Sequence, residues 1–182
     1  MLKIKNITLK KIKKEDIETI RIERNKYSVR SKMLDQKPIS KLQQQEWFKK
    51  IKNLKKNKHF KINYNNQIIG AGSIKDIDKD NGVSTWGFFI FEKFYGVFGL
   101  LAEIKILDEI FIKNKIRKIY GHTISSNKEV LKLHKICGFK IEGTLKKHRI
   151  VGKKKFDIIL TSIFRRNWVK NRVYLLKKYK LT

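Results

Sequence analysis

The chain has 182 residues, of which 41% are apolar and 11% aromatic, enough to bury the core of one domain and too apolar for a disordered chain. Lys and Arg outnumber Asp and Glu by 45 to 16, so the formal net charge is +29, which alone would favour nucleic acid or an anionic membrane as a partner. However, 37 Lys, 27 Ile and 12 Asn accompany only 8 Arg and 2 Ala. The abundant types have A/T-rich codons, so genome bias accounts for much of this charge.

Several protein classes are excluded by simple features of the chain. No apolar run approaches the ~20 residues that span a bilayer, and residues 1–16 alternate Lys with Ile without the hydrophobic centre of a signal peptide. The single cysteine, Cys137, cannot form an internal disulfide or by itself assemble a metal site. We expect a cytoplasmic protein with no metal and with neither a membrane nor nucleic acid as partner.

Apolar spacing and turn residues predict the elements in chain order. The first half contains strand 2–11, helix 16–25, a loop through Pro38, helix 40–54 with Ser40 as N-cap, and strands 59–64, 67–77 and 83–91. The second half contains helix 100–111, strand 117–124, helix 127–137, strands 139–145 and 156–164, and helix 168–180. This order predicts an α+β fold, an α/β sandwich, rather than a bundle or a barrel. Without a linker or repeat, we expect one domain over 1–182, with a core at about 3–168 and a basic C-terminal helix at 169–182.

A glycine-containing turn separates the strand 83–91 from the long helix that follows. Gly96 and Gly99 leave backbone N–H groups exposed at the positive end of the helix dipole, where phosphate or pyrophosphate binds, and Lys93 adds a positive charge. An ordinary strand-to-helix turn explains the same residues equally well. The turn is not a P-loop, because no Gly-Lys-Ser/Thr follows it.

The helix 127–137 carries the second informative pattern. Asn127 and His134 are seven residues apart, so two helical turns bring them to one face. His134 stands among apolar neighbours, and a core histidine is the alternative interpretation. Cys137 is expected to be a buried small hydrophobe.

The order and spacing of these two stretches resemble the GCN5-related N-acetyltransferase (GNAT) superfamily over residues 3–168. Residues 93–98 stand where that family has Gln/Arg-x-x-Gly-x-Gly/Ala around the pyrophosphate of acetyl-CoA, with Lys93 replacing Gln/Arg and Phe98 the second small residue. The family's second motif, Asn-x₅-Leu-Tyr/His-x₃-Gly-Phe, is matched by Asn127, Leu133, His134, Gly138 and Phe139. The resemblance implies a mixed, mostly antiparallel sheet with a splayed central strand pair, flanked by helices.

The same resemblance implies acetyl-CoA as a co-substrate and direct transfer in a ternary complex. The cofactor contacts it implies lie along the strand and turn, with Asn127 added: Phe89, Ile90, Phe91, Lys93, Phe94, Tyr95, Gly96, Val97, Phe98, Gly99 and Asn127. His134 stands where a tyrosine commonly acts as the general acid, and an imidazole with a reference pKa of ~6.5 can also donate a proton. Asn127 would orient it. His122 is the candidate base, with a surface histidine as the alternative.

Within the superfamily, the chain resembles nucleotide-sugar N-acetyltransferases of the pseudaminic acid pathway, which acetylate the 4-amine of UDP-4-amino-4,6-dideoxy-N-acetyl-β-L-altrosamine. The residues that resemble them include Arg24-Asn25, Val29-Arg30, Met33, 39–48, Glu142-Gly143, 152–157 and Trp168. Arg24 and Arg30 offer forks that suit a diphosphate, and Asn25 belongs to the same implied substrate site. Met33, Trp47 and Phe48 would form an apolar wall for the deoxy-sugar methyl. Surface salt bridges and core packing are the alternatives.

Other functions remain open at this point. A protein or ribosomal-protein N-terminal acetyltransferase would often present an acidic groove, for which the chain has few acids. A polyamine acetyltransferase is disfavoured, because a surface of +29 repels a polycation. A catalytically silent domain that binds RNA or an acidic partner would also use the excess lysines. The sequence leaves open whether the last helix mediates a homodimer or caps the sheet.

Overall fold

The computed structural model describes residues 3–54 and 57–181. Five residues of the predicted domain 1–182 lie outside the described residues: Met1, Leu2, Lys55, Lys56 and Thr182. Leu2 is also the first residue of the predicted strand 2–11. The described strands are β1 (Ile7–Lys11), β2 (Lys58–Tyr64), β3 (Gln67–Asp78), β4 (Val83–Ile90), β5 (Lys118–Ile124), β6 (Lys140–Val151) and β7 (Lys154–Phe164). The described α-helices are α1 (Ile17–Asn25), α2 (Tyr27–Arg30), α3 (Lys41–Lys52), α4 (Val97–Asp108), α5 (Lys128–Cys137) and α6 (Arg165–Lys178).

The seven strands form one sheet in the order β1-β2-β3-β4-β5-β7-β6, antiparallel except between β4 and β5. This confirms the α+β class and the mostly antiparallel sheet. Several details differ from the sequence prediction. Ile4–Asn6 is a 3₁₀ turn rather than strand, the loop before Pro38 contains α2, and β6 and β7 both extend to the turn at Gly152.

Local sequence signals account for several boundaries. The Ser40 side chain accepts a hydrogen bond from the Gln43 N–H, and the Gln43 side chain accepts one from the Ser40 N–H, so a capping box starts α3. Asn65 and Asn66 take positive φ values of 45° and 67° in the turn between β2 and β3, a conformation that asparagine tolerates. Gly138 ends α5 in the left-handed conformation, with φ of 93°.

The central strand pair is splayed. β4 and β5 pair over three positions only, from Val83↔Lys118 to Thr85↔Tyr120. Beyond those residues the two strands separate, so residues 86–90 of β4 are not paired with β5. A gap therefore opens in the middle of the sheet.

Helices cover both faces of the sheet. One face packs Ile74 and Trp86 against α4, α5 and α6 in the larger apolar cluster. The other face packs Ala71 and Phe91 against α1 and α3, around Ile20. The Trp168 side chain of α6 is fully buried, and its Nε1 donates to Asp108 Oδ1 of α4 at 3.1 Å. Within the described residues, α6 therefore covers the helical layer on the α4 side.

Candidate active site

A cavity of about 890 Å³ lies at the gap between β4 and β5. Its floor on the α1/α3 side includes Ser73, Gly87 and Phe89, whereas Trp86 and His134 line it from the α4/α5 side. The strand register explains this division. Antiparallel partners point to the same face, so Ser73 and Gly87, which pair across β3 and β4, face α1 and α3 together.

The turn before α4 borders this cavity through Tyr95, Gly96 and Gly99. Gly96 has φ of 95° and ψ of −129°, a conformation that only glycine adopts without strain. No side chain caps α4, and the first N–H groups of a helix have no intrahelical acceptor. The Gly99 N–H donates to the Gly96 carbonyl at 3.1 Å, so the N–H groups of Val97 and Phe98 are the ones at the start of α4 that an anion would use.

The Phe98 side chain lies outside the lining of the cavity. Its ring contacts Tyr64 edge-on at a centroid distance of 4.9 Å and Phe94 at 5.5 Å, so both phenylalanines pack against the larger apolar cluster. Lys93 is exposed, with its ammonium 5.0 Å from the Phe94 ring. Phe91 is buried, and its N–H donates to the Ile69 carbonyl at 2.8 Å. Of the predicted cofactor contacts on the strand, Phe89 and Ile90 line the cavity. Five other predicted contacts lie outside its lining: Phe91, Lys93, Phe94, Val97 and Phe98.

Asn127 and His134 both line the cavity from α5. The Asn127 side chain accepts from the Val130 N–H at 3.3 Å and donates to the Lys32 carbonyl at 3.2 Å, so it caps α5 and holds a distant loop. His134 is buried, stacks on Phe139 at 4.7 Å, and has Nδ1 3.4 Å from Thr161 Oγ1. Burial lowers the pKa of His134 to about 4, so the ring is neutral near pH 7 rather than titrating near its reference value.

His122 lies on the opposite side of the gap. Two residues earlier on β5, Tyr120 pairs with Thr85 of β4, so His122 continues the face of Thr85, Gly87 and the α1/α3 layer. Its side chain is exposed and lines the cavity. The two candidate histidines therefore approach the gap from different faces of the sheet.

The loop after α1 forms the outer wall of the cavity, and only part of the predicted substrate set lies there. Arg24, Met33 and Trp47 line the cavity. Arg24 Nη2 donates to the Asp35 carbonyl at 2.6 Å, whereas Nη1 is buried without a hydrogen-bond partner. A buried guanidinium N–H without a partner is costly, and an anion in the cavity would satisfy it.

Three predicted substrate residues lie elsewhere. Asn25 exchanges two hydrogen bonds of 2.8 Å with the Ile39 backbone and so fixes the loop. Arg30 Nη1 donates to the Gln36 carbonyl at 3.0 Å, and its guanidinium lies 5.4 Å from the Tyr27 ring. Phe48 is buried in the apolar cluster under α1 and α3. We therefore assign Asn25, Arg30 and Phe48 to the loop and the core rather than to the cavity.

Comparison with known proteins is consistent with this geometry. A family model described as an acetyltransferase (GNAT) domain matches residues 9–160. The chain belongs to the GNAT acetyltransferase family. It is therefore an acyltransferase, and the mixed sheet with its splayed pair is the GNAT fold. No curated protein gives a significant sequence match.

Solved structures show the same GNAT fold. Spermidine N-acetyltransferase from Vibrio cholerae in complex with CoA and spermine is 20% identical, with a TM-score of 0.84 over 91% of this chain and 99% of that one. Spermidine/spermine N-acetyltransferase SpeG from Vibrio cholerae in complex with manganese ions is also 20% identical, with a TM-score of 0.76 over 92% of this chain and 97% of that one.

Among the helices of the described residues, none is both long and apolar enough to cross a bilayer.

Sequence reasoning missed several cavity residues of this GNAT chain. His59 and Lys75 line the floor on the α1/α3 side, and Lys32 lines the outer wall. His59 pairs with Ser73, which pairs with Gly87, so a row of three strands leads from His59 to the gap. Its Nε2 is buried without a hydrogen-bond partner, and burial, with a smaller effect of Lys75, lowers its pKa.

The carboxylates around the cavity are few. Only Asp35 and Glu129 contribute carboxyl groups among the described lining residues, against the cations of Arg24, Lys32 and Lys75. Glu129 is ion-paired with Lys32. The cavity is thus cationic, in keeping with the excess of basic residues in the whole chain.

Proposed function

We propose that this acyltransferase moves an acetyl group from acetyl-CoA to the 4-amine of a UDP-4-amino-4,6-dideoxy sugar of the nonulosonic, or pseudaminic, acid class. The observation that carries the proposal is a cationic cavity, poor in carboxylates, that reaches both faces of the sheet through the β4/β5 gap. A cavity open to both faces suits direct transfer between two bound substrates. Acetyl-CoA and nucleotide sugars are metabolites of the cytoplasm, which we take as the compartment.

The cofactor half of the proposed site lies at the gap and at the turn before α4. The unpaired edge of β4 over residues 86–90 would bind the pantetheine amides, and a backbone N–H there would polarise the thioester carbonyl. The N–H groups at the start of α4 would bind the pyrophosphate, with Gly96 providing the close backbone approach. Bound acetyl-CoA would supply the thioester, and holding the amine in line with it accounts for much of the acceleration.

The two histidines take different roles in this proposal. His122, on the face of the sheet that α1 and α3 cover, takes the proton that the amine releases as its nitrogen forms the new bond to the acetyl carbon. His134, on the other face, is neutral because burial lowers the pKa to about 4. Its remaining ring nitrogen then acts as a hydrogen-bonding group towards the departing sulfur rather than as a charged acid. Asn127 positions α5, which carries His134.

The acceptor half is the region between α1, α3 and the floor of β2 and β3. The unpartnered Arg24 Nη1 and the Lys75 ammonium, which line the same cavity, favour a diphosphate. Met33 and Trp47 give the apolar contact that a deoxy-sugar methyl requires. His59, held edge-on against Trp47 at 5.6 Å, presents an unpartnered ring nitrogen that a sugar hydroxyl or amide would satisfy.

A polyamine is the second candidate acceptor, because the similar solved structures are spermidine N-acetyltransferases. The lining of the cavity disfavours it here. A polycation needs several carboxylates to replace its water, and one of the two available, Glu129, already pairs with Lys32. Peptide acceptors of protein N-terminal acetyltransferases and a silent binding domain remain as outcomes of the test.

The test follows CoA thiol release from acetyl-CoA with a UDP-4-amino-4,6-dideoxy sugar, spermidine and a peptide panel in parallel. Turnover that depends on the sugar supports the proposal. Turnover with spermidine or peptides alone would overturn the substrate class and leave the acyltransferase. No release with any acceptor, and no thermal stabilisation by acetyl-CoA, would favour the silent binding domain.

Gly87 provides a matched test of where transfer occurs. A Cβ added there meets no atom within 4 Å, and the backbone needs no positive φ, so Gly87→Leu should fold normally. Its four added carbons occupy roughly 100 Å³, about three water volumes, on the floor beside the gap. We expect a loss of turnover of about a hundredfold or more, since misplacing a reactant by 1 Å has that effect. Gly87→Ala is the control, and equal activity of the two variants would contradict the placement.

A further inference from the structure

Lys32 joins three segments that lie far apart in the sequence. Its carbonyl accepts from Asn127 Nδ2 at 3.2 Å, and its ammonium pairs with Glu129 at the start of α5. The same ammonium lies 4.4 Å from the centre of the Tyr95 ring. One residue therefore contacts the outer wall of the cavity, the turn before α4 and the first turn of α5.

A further contact ties the same segment to the turn. Tyr95 Oη donates to the carbonyl of Ser28 at 3.0 Å, and burial, as the largest cause, raises the pKa of this phenol, so it stays protonated as a donor. We call the contacts of Lys32 and Tyr95 with Ser28, Asn127 and Glu129 the strap. All of its members except Ser28 line the cavity.

Stability alone does not explain the strap. The Glu129 side chain is 77% exposed, and ion pairs of this kind contribute little to folding. The strap instead contacts a weak element, α2, through Ser28. α2 is a single turn of four residues, too short to hold itself together in water, and it leads directly into the Met33 wall of the acceptor half.

We infer that Lys32 is a positioning residue that couples the two halves of the site. Acetyl-CoA bound at the turn orders the Tyr95 side chain. Tyr95 and Lys32 together then order residues 28–33, and this segment fixes the wall of the cavity at Met33, where the acceptor binds. Because such coupling is reciprocal, each substrate binds more tightly when the other is present. This inference rests on the proposed function, since it places acetyl-CoA at the turn before α4.

Hydrogen exchange tests the coupling without an acceptor. The amides of Arg30, Ser31, Lys32 and Met33 donate to backbone carbonyls within residues 26–30 at 2.9 to 3.2 Å, so their exchange reports opening of this segment. We expect saturating acetyl-CoA to slow their exchange about tenfold in the wild type, within the usual range of coupling. Lys32→Met should abolish that protection and, because the coupling is reciprocal, raise the Kd of acetyl-CoA by no more than about the same tenfold.

Two variants serve as controls. Lys32→Arg keeps both a cation over the Tyr95 ring and a carboxylate partner, so it should retain the protection. Lys26→Met removes an exposed ammonium that pairs with Glu23 at 2.7 Å outside the cavity, and it should behave as the wild type.

Each other result contradicts the inference in a recognisable way. Protection in Lys32→Met equal to that in the wild type, or none in a wild type that binds acetyl-CoA, would overturn the coupling and leave the proposed function. A loss of acetyl-CoA affinity in Lys32→Met clearly greater than about tenfold would exceed what the coupling can supply and make Lys32 a direct ligand instead. No binding of acetyl-CoA by the wild type in calorimetry would overturn the proposed function and the coupling with it.

Discussion

Glu103 makes the stability of this protein depend on pH in a direction opposite to that of most carboxylates. It lies on α4 with 0% of its surface exposed, beside the Cys137 thiol and among apolar side chains. Burial raises the pKa of Glu103 from 4.5 to about 8, although the neighbouring Cys137 thiol opposes the shift. The carboxyl group is therefore mostly neutral in the folded protein at pH 7.

The sign and size of the effect follow from that difference in pKa. The folded state holds a proton that the unfolded chain releases above pH 4.5, so stability is fully present below pH 4.5 and is lost as pH rises towards 8. Each pH unit in this window is worth 1.36 kcal/mol. Between pH 5 and pH 8, Glu103 alone removes about 3–4 kcal/mol from the free energy of unfolding, because at both ends of this range the group is only partly ionised in one of the two states.

Glu103→Gln isolates this contribution, because an amide of the same shape does not titrate. The free energy of unfolding is measured by denaturant titration at pH 5, 6, 7 and 8 for the variant and the wild type. The difference between them should grow by about 3–4 kcal/mol in favour of the variant as pH rises, because effects of the shared charge of the chain cancel. Glu46→Gln, on the exposed side of α3, should follow the wild type. Parallel curves for Glu103→Gln and the wild type would refute the reasoning.

Three further changes test the site. Arg24→Met should raise the KM of the UDP-sugar about tenfold or more, because a charged hydrogen bond contributes about 1.5–3 kcal/mol, while Arg30→Met, outside the cavity, should leave it unchanged in steady-state kinetics. His134→Gln should lower kcat by about a hundredfold with an unaltered pH profile between 5.5 and 8; a wild-type inflection there that the variant loses would contradict a neutral ring. Phe98→Ala should cost about 2–3 kcal/mol of unfolding free energy through lost packing and leave the acetyl-CoA Kd unchanged in calorimetry below the melting temperature.

The elements of this fold could be predicted from apolar spacing, caps and turns, since those signals are local. The lining of the acceptor half could not. Arg24 and Arg30 are close in sequence, but Lys26, with ψ of 137°, breaks the helix between α1 and α2. Helical phase is therefore lost across the break, and only the tertiary contacts of residues 26–39 decide which guanidinium enters the cavity.

His59 was missed for a different reason. Counting back from the Asn65-Asn66 turn would pair His59 with Gly72, which lies on the face of the sheet that α4 covers. A bulge between Ile62 and Asn63 shifts the register by one residue, so His59 pairs with Ser73 instead. A shift of one residue exchanges the two faces of a strand, and nothing in the sequence marks this bulge. The low pKa of His134 is likewise a property of tertiary burial, here against Trp86 and Phe139.

The net charge of the chain and the charge of the cavity both favour an anionic acceptor, and salt distinguishes the two effects. A surface of +29 attracts every anion, and salt screens this long-range attraction over about 8–10 Å. The Arg24 Nη1 group is buried, so the proposed contact with a diphosphate would be screened far less. An anionic acceptor recognised by the cavity should therefore keep a KM difference between wild type and Arg24→Met at high salt, even as both KM values rise. A difference that vanishes with salt would assign the preference to the surface and remove the cavity's charge as an argument for a nucleotide sugar.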